Sequence, residues 1–224
     1  MFTSLGKREI AKYGAILVLA AIGLWFFGAA VSCAFYYLLI IPALLFGFLL
    51  YFFRDPERQI PTDHNAILSP ADGTITHLEK VPASAIIGEE CWRVSIFLSV
   101  FNVHLNRAPF AGAVTSVTYQ KGSFLDARDN ASLDKNESNT IVFRSDHPRL
   151  PVFAIRQIAG LIARRIVCIV KPNDQICAGS RVGMMKFSSR TDLWVPVKSG
   201  VTWQIKIGDA VFAGTSVLGK LASE

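Results

Sequence analysis

The sequence predicts a mostly β, barrel- or sandwich-like domain preceded by an N-terminal hydrophobic helical hairpin. Three observations carry that reading. No charged residue occurs from Tyr13 to Phe53, and a membrane span needs about 20 apolar residues, so this stretch holds two helices and a tight turn. From about residue 60 onward, short runs rich in Val, Ile and Phe alternate with Gly, Pro, Asn and Asp turns. No long helical period follows the apolar stretch. The boundaries drawn from these features are residues 1–58 for a membrane-anchoring hairpin with basic flanks and 59–224 for a β-rich domain.

The hairpin comes first. The 224 residues are enough for one ordinary domain and something extra. Hydrophobic residues make up 51% and the mean hydropathy is +0.38, an excess concentrated at one end. The run is too long for a signal peptide, and no small-residue cleavage site precedes a polar start. A soluble core helix does not run uncharged for this length. Lys7, Arg8 and Lys12 precede the run, Arg54 and Arg58 follow it, and the middle from Gly28 to Ser32 is uncharged. Positive flanks stay in the cytoplasm, so both ends and the following domain are expected on the cytoplasmic side of the cell (inner) membrane. A re-entrant pair dipping into one leaflet is the alternative. Tyr13, Trp25, Tyr36, Tyr37 and Tyr51 supply interfacial anchors, and Pro42 is expected to kink the second helix.

The four cysteines, Cys33, Cys91, Cys168 and Cys177, show neither CxxC pairing nor metal-ligand spacing. They read as core thiols of a reduced, cytosolic domain, with no metal. The net charge is +6 and the pI about 9.3. Basic flanks account for topology, and attraction to an anionic membrane surface is the functional counterpart. The basic residues are scattered, which argues against a nucleic-acid partner.

In the β region "RVSIFLSVF", "GAVTSVTYQ", "TIVFRSD", "PVFAIRQIAG", "RRIVCIVK", "RVGMMKF" and "VTWQIK" each read as strands. A weak internal echo pairs "NDQICAGSRVG" at 173–183 with "GDAVFAGTSVLG" at 208–219. Each copy has an Asp-containing turn, an apolar residue, Ala-Gly and then a strand. The pattern suits hairpins of the barrel-sandwich type used by lipoyl and biotinyl carriers. Neither copy presents the lysine such carriers need, so the echo is structural.

The last element, "MMKFSSRTDLWVP" at 184–196, looks like a strand that reaches a turn, but it places Ser188-Ser189 between Phe187 and Arg190. By spacing alone two serines are a plain turn. They also permit a reaction. A serine hydroxyl held in a strained turn can attack the carbonyl of the residue before it, turning the amide into an ester. Elimination then breaks the chain and leaves dehydroalanine, which hydrolyses to a pyruvoyl group and ammonia. The ketone so formed can condense with an amine and accept electrons from a breaking C–C bond. His104, in "NVHLNRAP", is the best acid/base candidate among the four histidines, because His64, His77 and His147 lie in polar, loop-like settings. If 102–106 is extended, Asn102, His104 and Asn106 share one face. Asp72, in "SPADG", reads by itself as an Asp-Gly hairpin turn.

Five stretches in one order resemble the phosphatidylserine decarboxylases, specifically their short membrane-bound bacterial and archaeal branch: "FFRDPER", "LSPADGTI", "FLSVFNVHLNRAPFAG", "IAGLIARRIVCIVKPND" and "GMMKFSSRTDLWVP". The resemblance implies self-cleavage at Ser188-Ser189, a pyruvoyl cofactor derived from Ser189, a β chain of 1–188 and an α chain of 189–224. It implies that Asp72 works with a histidine to activate the serine, and it makes dimers plausible. The implied substrate is phosphatidylserine in the membrane lipid, decarboxylated to phosphatidylethanolamine, with His104 as proton donor. By proximity to the motifs, Arg107, Lys121, Lys186 and Arg190 are candidate partners for the headgroup anions, although any one of them also reads as a plain surface charge. Arg164-Arg165 reads as facing the membrane or an ion pair, and the role of Glu137 is open.

Two departures stand out. The short branch has Gly-Ser at the scissile bond where this chain has Ser188-Ser189, and serine reaches glycine's backbone angles only with strain. Slow but real cleavage is expected. Longer members carry H-x-x-H where this chain has His104 and Arg107, so the base role passes to His104, or Arg107 alters the mechanism. An arginine stays protonated and is a poor base. Two alternatives remain open: the same chemistry on an archaeal-type or other serine lipid, and a non-maturing, membrane-anchored protein that binds serine lipids.

Overall fold

The computed structural model describes residues 2–82, 85–127, 129, 132–161, 165–186 and 189–222. The chain divides into two compact units, residues 1–57 and 58–224.

The first unit is a helical hairpin. A 3-10 turn at Ser4–Gly6 leads into α1 (Lys7–Ala30); a 3-10 stretch at Cys33–Leu39 leads into α2 (Ile40–Phe52). The spans Ser4–Ala30 and Cys33–Phe52 are each long and apolar enough to cross a membrane. Their large side chains, Leu19, Phe26, Ile40 and Leu44 among them, point outward, which fits a lipid surrounding rather than a protein core. The two ends of the hairpin meet where Thr3 N donates to Phe53 O (3.0 Å) and the missing side chain of Gly6 makes room for the Phe53 ring. Pro42 is the third residue of α2, directly after the 3-10 stretch.

The second unit is mostly β, as the sequence predicts. Its strands are β1 (Ala66–Leu68), β2 (Gly73–Val81), β3 (Cys91–Leu98), β4 (Leu105–Arg107), β5 (Gly112–Gln120), β6 (Ser138–Arg144), β7 (Val152–Ala159), β8 (Arg165–Cys168), β9 (Gln175–Ile176), β10 (Arg181–Lys186), β11 (Ser189–Pro196), β12 (Thr202–Trp203), β13 (Ala210–Val211) and β14 (Val217–Lys220). One helical turn, α3 (Ser132–Lys135), lies between β5 and β6. The main sheet is a curled half-barrel of eight strands in the order β13-β2-β3-β11-β7-β6-β5-β9, with every neighbouring pair antiparallel. Two three-stranded sheets, β4-β10-β8 and β1-β14-β12, accompany it.

β11 lies in the middle of the large sheet. Its register runs from Ser189↔Leu98 to Pro196↔Cys91 against β3 and from Ser189↔Ala159 to Trp194↔Ala154 against β7. Strand side chains alternate between faces. Thr191, Leu193 and Val195 therefore share the face of Ser189, and Leu193 and Val195 enter the main apolar core with Val94, Ile96, Leu98 and Ile155. Arg190, Asp192 and Trp194 occupy the other face, where Trp194 packs with Cys91 and Ala154. Both faces are covered, and every residue of β11 is buried.

The internal echo is real in three dimensions. Asp174 Oδ2 accepts from Lys171 N and Asp209 Oδ2 from Lys206 N, both at 2.9 Å. Gly179 and Gly214 both adopt left-handed backbone, at φ +76° and +74°, and pack against each other. Those two positions require glycine for conformation and for space. The paired turns hold the two segments that carry the site: Gly214 N donates to Ser69 O, and Gly179 N to Ala108 O, each at 2.8 Å.

Candidate active site

The sheet register brings the chemistry-bearing segments to one end of the half-barrel. β3 leaves the sheet at Leu98, β7 leaves at Ala159 and β11 enters at Ser189, all three level with one another. At the same end β2 begins at Gly73, just after Asp72, and β10 finishes at Lys186, level with Arg165 of β8. Ser188, on one side of the expected cleavage site, and Arg164 lie outside the described residues.

Ser189 is fully buried, and its Oγ has no hydrogen-bond partner among the described residues. Its backbone neighbours are Leu98 and Ala159, which set a small, apolar wall beside it. Leaving a buried hydroxyl unpaired costs about 1–3 kcal/mol.

His104 is also fully buried. Its carbonyl accepts from Met185 N (3.0 Å), which ties it to the end of β10 that leads toward Ser189. Its Nδ1 lies 3.0 Å from Asn102 O. A carbonyl only accepts, so the proton belongs on Nδ1 and Nε2 is the basic nitrogen. Asn102 is held in turn by a tight turn: its N donates to Ser99 O (3.0 Å), and its Oδ1 accepts from Ser99 N (2.9 Å) and Ser99 Oγ (2.8 Å).

Asp72 is not part of a hairpin turn. Its Oδ1 accepts from Ala213 N (2.8 Å) and its Oδ2 from Arg58 (2.7 Å), charge-assisted contacts that fix the carboxylate at the head of β2. The segment carrying it is stitched to the histidine segment, because Pro70 O accepts from Arg107 N (3.0 Å) and from Asn106 Nδ2 (3.3 Å).

Asn106 begins a buried polar chain that the sequence reading did not find beyond this residue. Its Nδ2 donates to Thr191 Oγ1, its Oδ1 accepts from Gln157 Nε2, and Gln157 Oε1 accepts from Asn139 Nδ2, each at 2.9 Å. Strands β4, β11, β7 and β6 are thereby joined by side chains beneath the site. A second brace, Asn136, donates to Ala159 O (2.8 Å) and Leu125 O (2.9 Å) while accepting from Leu125 N (2.8 Å). Glu137 O accepts from Ala159 N (2.9 Å), and Glu137 Oε1 accepts from Ile166 N (3.4 Å). A signal existed for Gln157: an amide in an otherwise apolar strand, "VFAIRQIA".

The basic candidates divide. Lys121 is exposed, one residue past β5, and Lys186 closes β10; both are at the Ser189 end. Arg107 donates from Nη1 to Gly179 O (2.9 Å), beneath the echo turns. Arg190 is on the opposite sheet face from Ser189, where its Nε meets Asp192 Oδ1 (2.6 Å) and its Nη2 meets Ser95 Oγ (2.7 Å).

Of the cysteines, Cys91 is buried and Cys168 partly so, but Cys33 and Cys177 are exposed, contrary to the reading of all four as core thiols. Burial pushes the Cys91 thiol up to about 11, that of an inert group. A cleft of about 630 Å³ lies at the other end of the sheet, by Phe110, Gly112, His147 and Ile176, away from Ser189.

Fold and site together define a mostly β enzyme unit that follows an apolar helical hairpin and gathers a buried serine, histidine and aspartate at one rim. The family model for phosphatidylserine decarboxylase matches residues 45–219. A phosphatidylserine decarboxylase proenzyme of Desulfotalea psychrophila is 42% identical over 212 residues, covering 95% of this chain and 96% of its own. The like-named protein of Pelobacter propionicus is 42% identical over 216 residues, covering 96% and 94%. That of Wolbachia pipientis is 42% identical over 204 residues, covering 89% and 82%. The chain belongs to the phosphatidylserine decarboxylase family and is a carboxy-lyase.

Proposed function

We propose that this chain decarboxylates phosphatidylserine to phosphatidylethanolamine after cutting its own backbone between Ser188 and Ser189. The products of the cut are a β chain, 1–188, and an α chain, 189–224. The observation that carries the reading is Ser189: the first residue of the central strand, fully buried, with an Oγ committed to no other described group. Conversion of that hydroxyl to the ketone of a pyruvoyl group breaks no hydrogen bond to a described residue, so the residues present fit the prosthetic group the family implies. Such a group supplies an electron sink for loss of a carboxylate from an amine-bearing carbon.

The chain's own side chains do the rest. Asp72, pinned by Ala213 N and Arg58, supports His104 in drawing the proton from the Ser189 hydroxyl. The Asn102 carbonyl keeps the His104 Nδ1 protonated, so Nε2 takes that proton during maturation and returns one to the product carbon during turnover. Lys121 and Lys186 meet the headgroup phosphate and carboxylate at the rim. Arg107 and Arg190 brace the walls from within. The apolar hairpin anchors the enzyme in the cell membrane, with the β unit in the cytoplasm and residues 1–58 and 59–224 serving as anchor and catalytic domain.

Ser189→Ala is expected to leave one uncut chain of 24.6 kDa that releases no carbon dioxide, whereas the unaltered protein separates into two pieces on denaturation and releases carbon dioxide from phosphatidylserine. An altered chain that is still cut, or an uncut chain that is still active, overturns the proposal.

A further inference from the structure

The end of the sheet that holds Ser189 carries large apolar side chains turned into solvent. Phe101, on the turn after β3, is 64% exposed, and Leu161, two residues past the end of β7, is 67% exposed. Because Leu98 and Ala159 flank Ser189 on its two sides, these residues stand on either side of the buried serine. Phe212, beside the β13–β2 pairing at Gly73, and Phe124, on the connection after β5, extend the same rim and are also exposed. The Phe101 position is built rather than loose. The Ser99–Asn102 turn is closed by the Asn102 side chain, and the carbonyl of that same Asn102 orients His104.

Two exposed cations, Lys121 just past β5 and Arg165 at the head of β8, flank the apolar tips. An apolar tip with basic flanks matches one surface chemistry well, the interface of an anionic phospholipid bilayer. The chain also carries two helices apolar enough to cross such a bilayer. A lipid headgroup has to reach a serine with no exposed surface, and it reaches it most directly from a bilayer pressed against this rim.

We propose that the Ser189 rim docks into the surface of an anionic bilayer, with Phe101 and Leu161 inserted below the headgroups and Lys121 and Arg165 against the phosphates. This rests on the decarboxylase reading for its substrate, but the docking is a separate physical event. It makes the β unit a membrane-reading surface in its own right, beyond the anchoring given by the hairpin. The docked turn is the one that holds His104, so substrate delivery and the orientation of the proton carrier share one element.

The test uses the full chain in vesicles containing phosphatidylserine. Phe101, Leu161 and Ile169 are each replaced by p-benzoylphenylalanine, Ile169 being an exposed apolar control just beyond the far end of β8. On irradiation, lipid adducts are expected by mass at 101 and 161, at least fivefold above those at 169. Absence of adducts at 101 and 161, equal yield at 169, or crosslinks to a second polypeptide in their place would overturn the docking. In a second arm, Phe101→Ser with Leu161→Ser is expected to lower carbon dioxide release from long-chain phosphatidylserine in vesicles at least fivefold. Release from a water-soluble short-chain phosphatidylserine should stay within twofold. An equal loss on both substrates, or no loss on either, also counts against it. Lipid adducts at 101 and 161, together with an unaltered enzyme that decarboxylates neither substrate, would leave the docking standing and remove the decarboxylase reading.

Discussion

Arg190 shows what one residue can conceal. In the sequence it sits beside Ser189 and reads as a headgroup partner; in the fold it is among the largest side chains buried outright, joined to Asp192 and to Ser95, which lies 95 positions earlier. A sequence gives no depth, and the partners that neutralise this charge are invisible until the strands are paired. Removing one member of a buried pair strands the other charge, at about 3–5 kcal/mol. Asp192→Ala is therefore expected to lower unfolding stability by about that much, while Arg190→Met with Asp192→Leu loses far less; denaturant titration of the two variants measures both. His77 lies on the same sheet face, opposite Ser95. Burial, then the positive charges of Arg190 and Arg93, hold its imidazole below the ordinary value of 6.5. The unfolded chain takes up a proton near 6.5 that the folded chain refuses until lower pH. The stability tied to His77 is thus complete above that value and is lost as pH falls below it. His77→Asn should flatten the decline in denaturation midpoint between about pH 6.5 and 5, and an unchanged slope would remove His77 as its source. If the proposed cleavage needs backbone angles that glycine reaches freely, Ser188→Gly removes a cost of about 1–3 kcal/mol in reaching them and is expected to speed self-cleavage about tenfold or more, followed by gel over time.

At the scale of elements, the apolar hairpin and most of the outer strands were legible because their patterns are local. "GAVTSVTYQ" coincides with β5, "PVFAIRQIAG" exceeds β7 by one residue at each end, and "RVGMMKF" matches β10 over its described residues. The central strand was the hardest to read. β11 opens with Ser189, Arg190, Thr191 and Asp192, a polar run that looks like a turn, and it is a strand because its backbone pairs with β3 and β7 while Arg190 meets Asp192 and Ser95 of β3, and Thr191 meets Asn106 of β4. β2 was equally hidden behind the Asp72-Gly73 step, where glycine serves a close approach: an added Cβ would land on the Phe97 carbonyl oxygen. The polar chain Asn139–Gln157–Asn106–Thr191 follows the same logic, since its members come from four strands. Gln157→Leu is expected to cost about 3 kcal/mol, because Asn106 Oδ1 and Asn139 Nδ2 would be left buried and unpaired. Since the chain ties β4 to β11, the same variant should slow cleavage at a temperature where it remains folded. A stability loss with normal cleavage would confine the chain to a structural role.

At the scale of the whole molecule, the position of the proposed cut decides how a cleaved enzyme would hold together. β11, a middle strand of the large sheet, begins at Ser189, so a 189–224 piece would begin inside the fold and not beside it. From Ser189 to Pro196 that piece is hydrogen-bonded to β3 on one side and β7 on the other. Leu193, Trp194 and Val195 are buried in the two apolar clusters, each worth about 1.5–3 kcal/mol. Farther along, β13 pairs with β2, and β14 with β1, which ties the small piece to the large one at separate places. Asp72 adds a further tie through Ala213 N. Leaving would require the sheet to open at its centre, so cleavage should change the covalent structure with little change in the fold. The mature protein in mild detergent is expected to elute as one species that contains both pieces, with the circular dichroism of the uncut Ser189→Ala chain. Denaturant should separate the pieces, and refolding should then depend on protein concentration, because an intramolecular strand has become a second molecule. Release of the small piece in native buffer would mean that β11 is not an integral strand of the mature sheet.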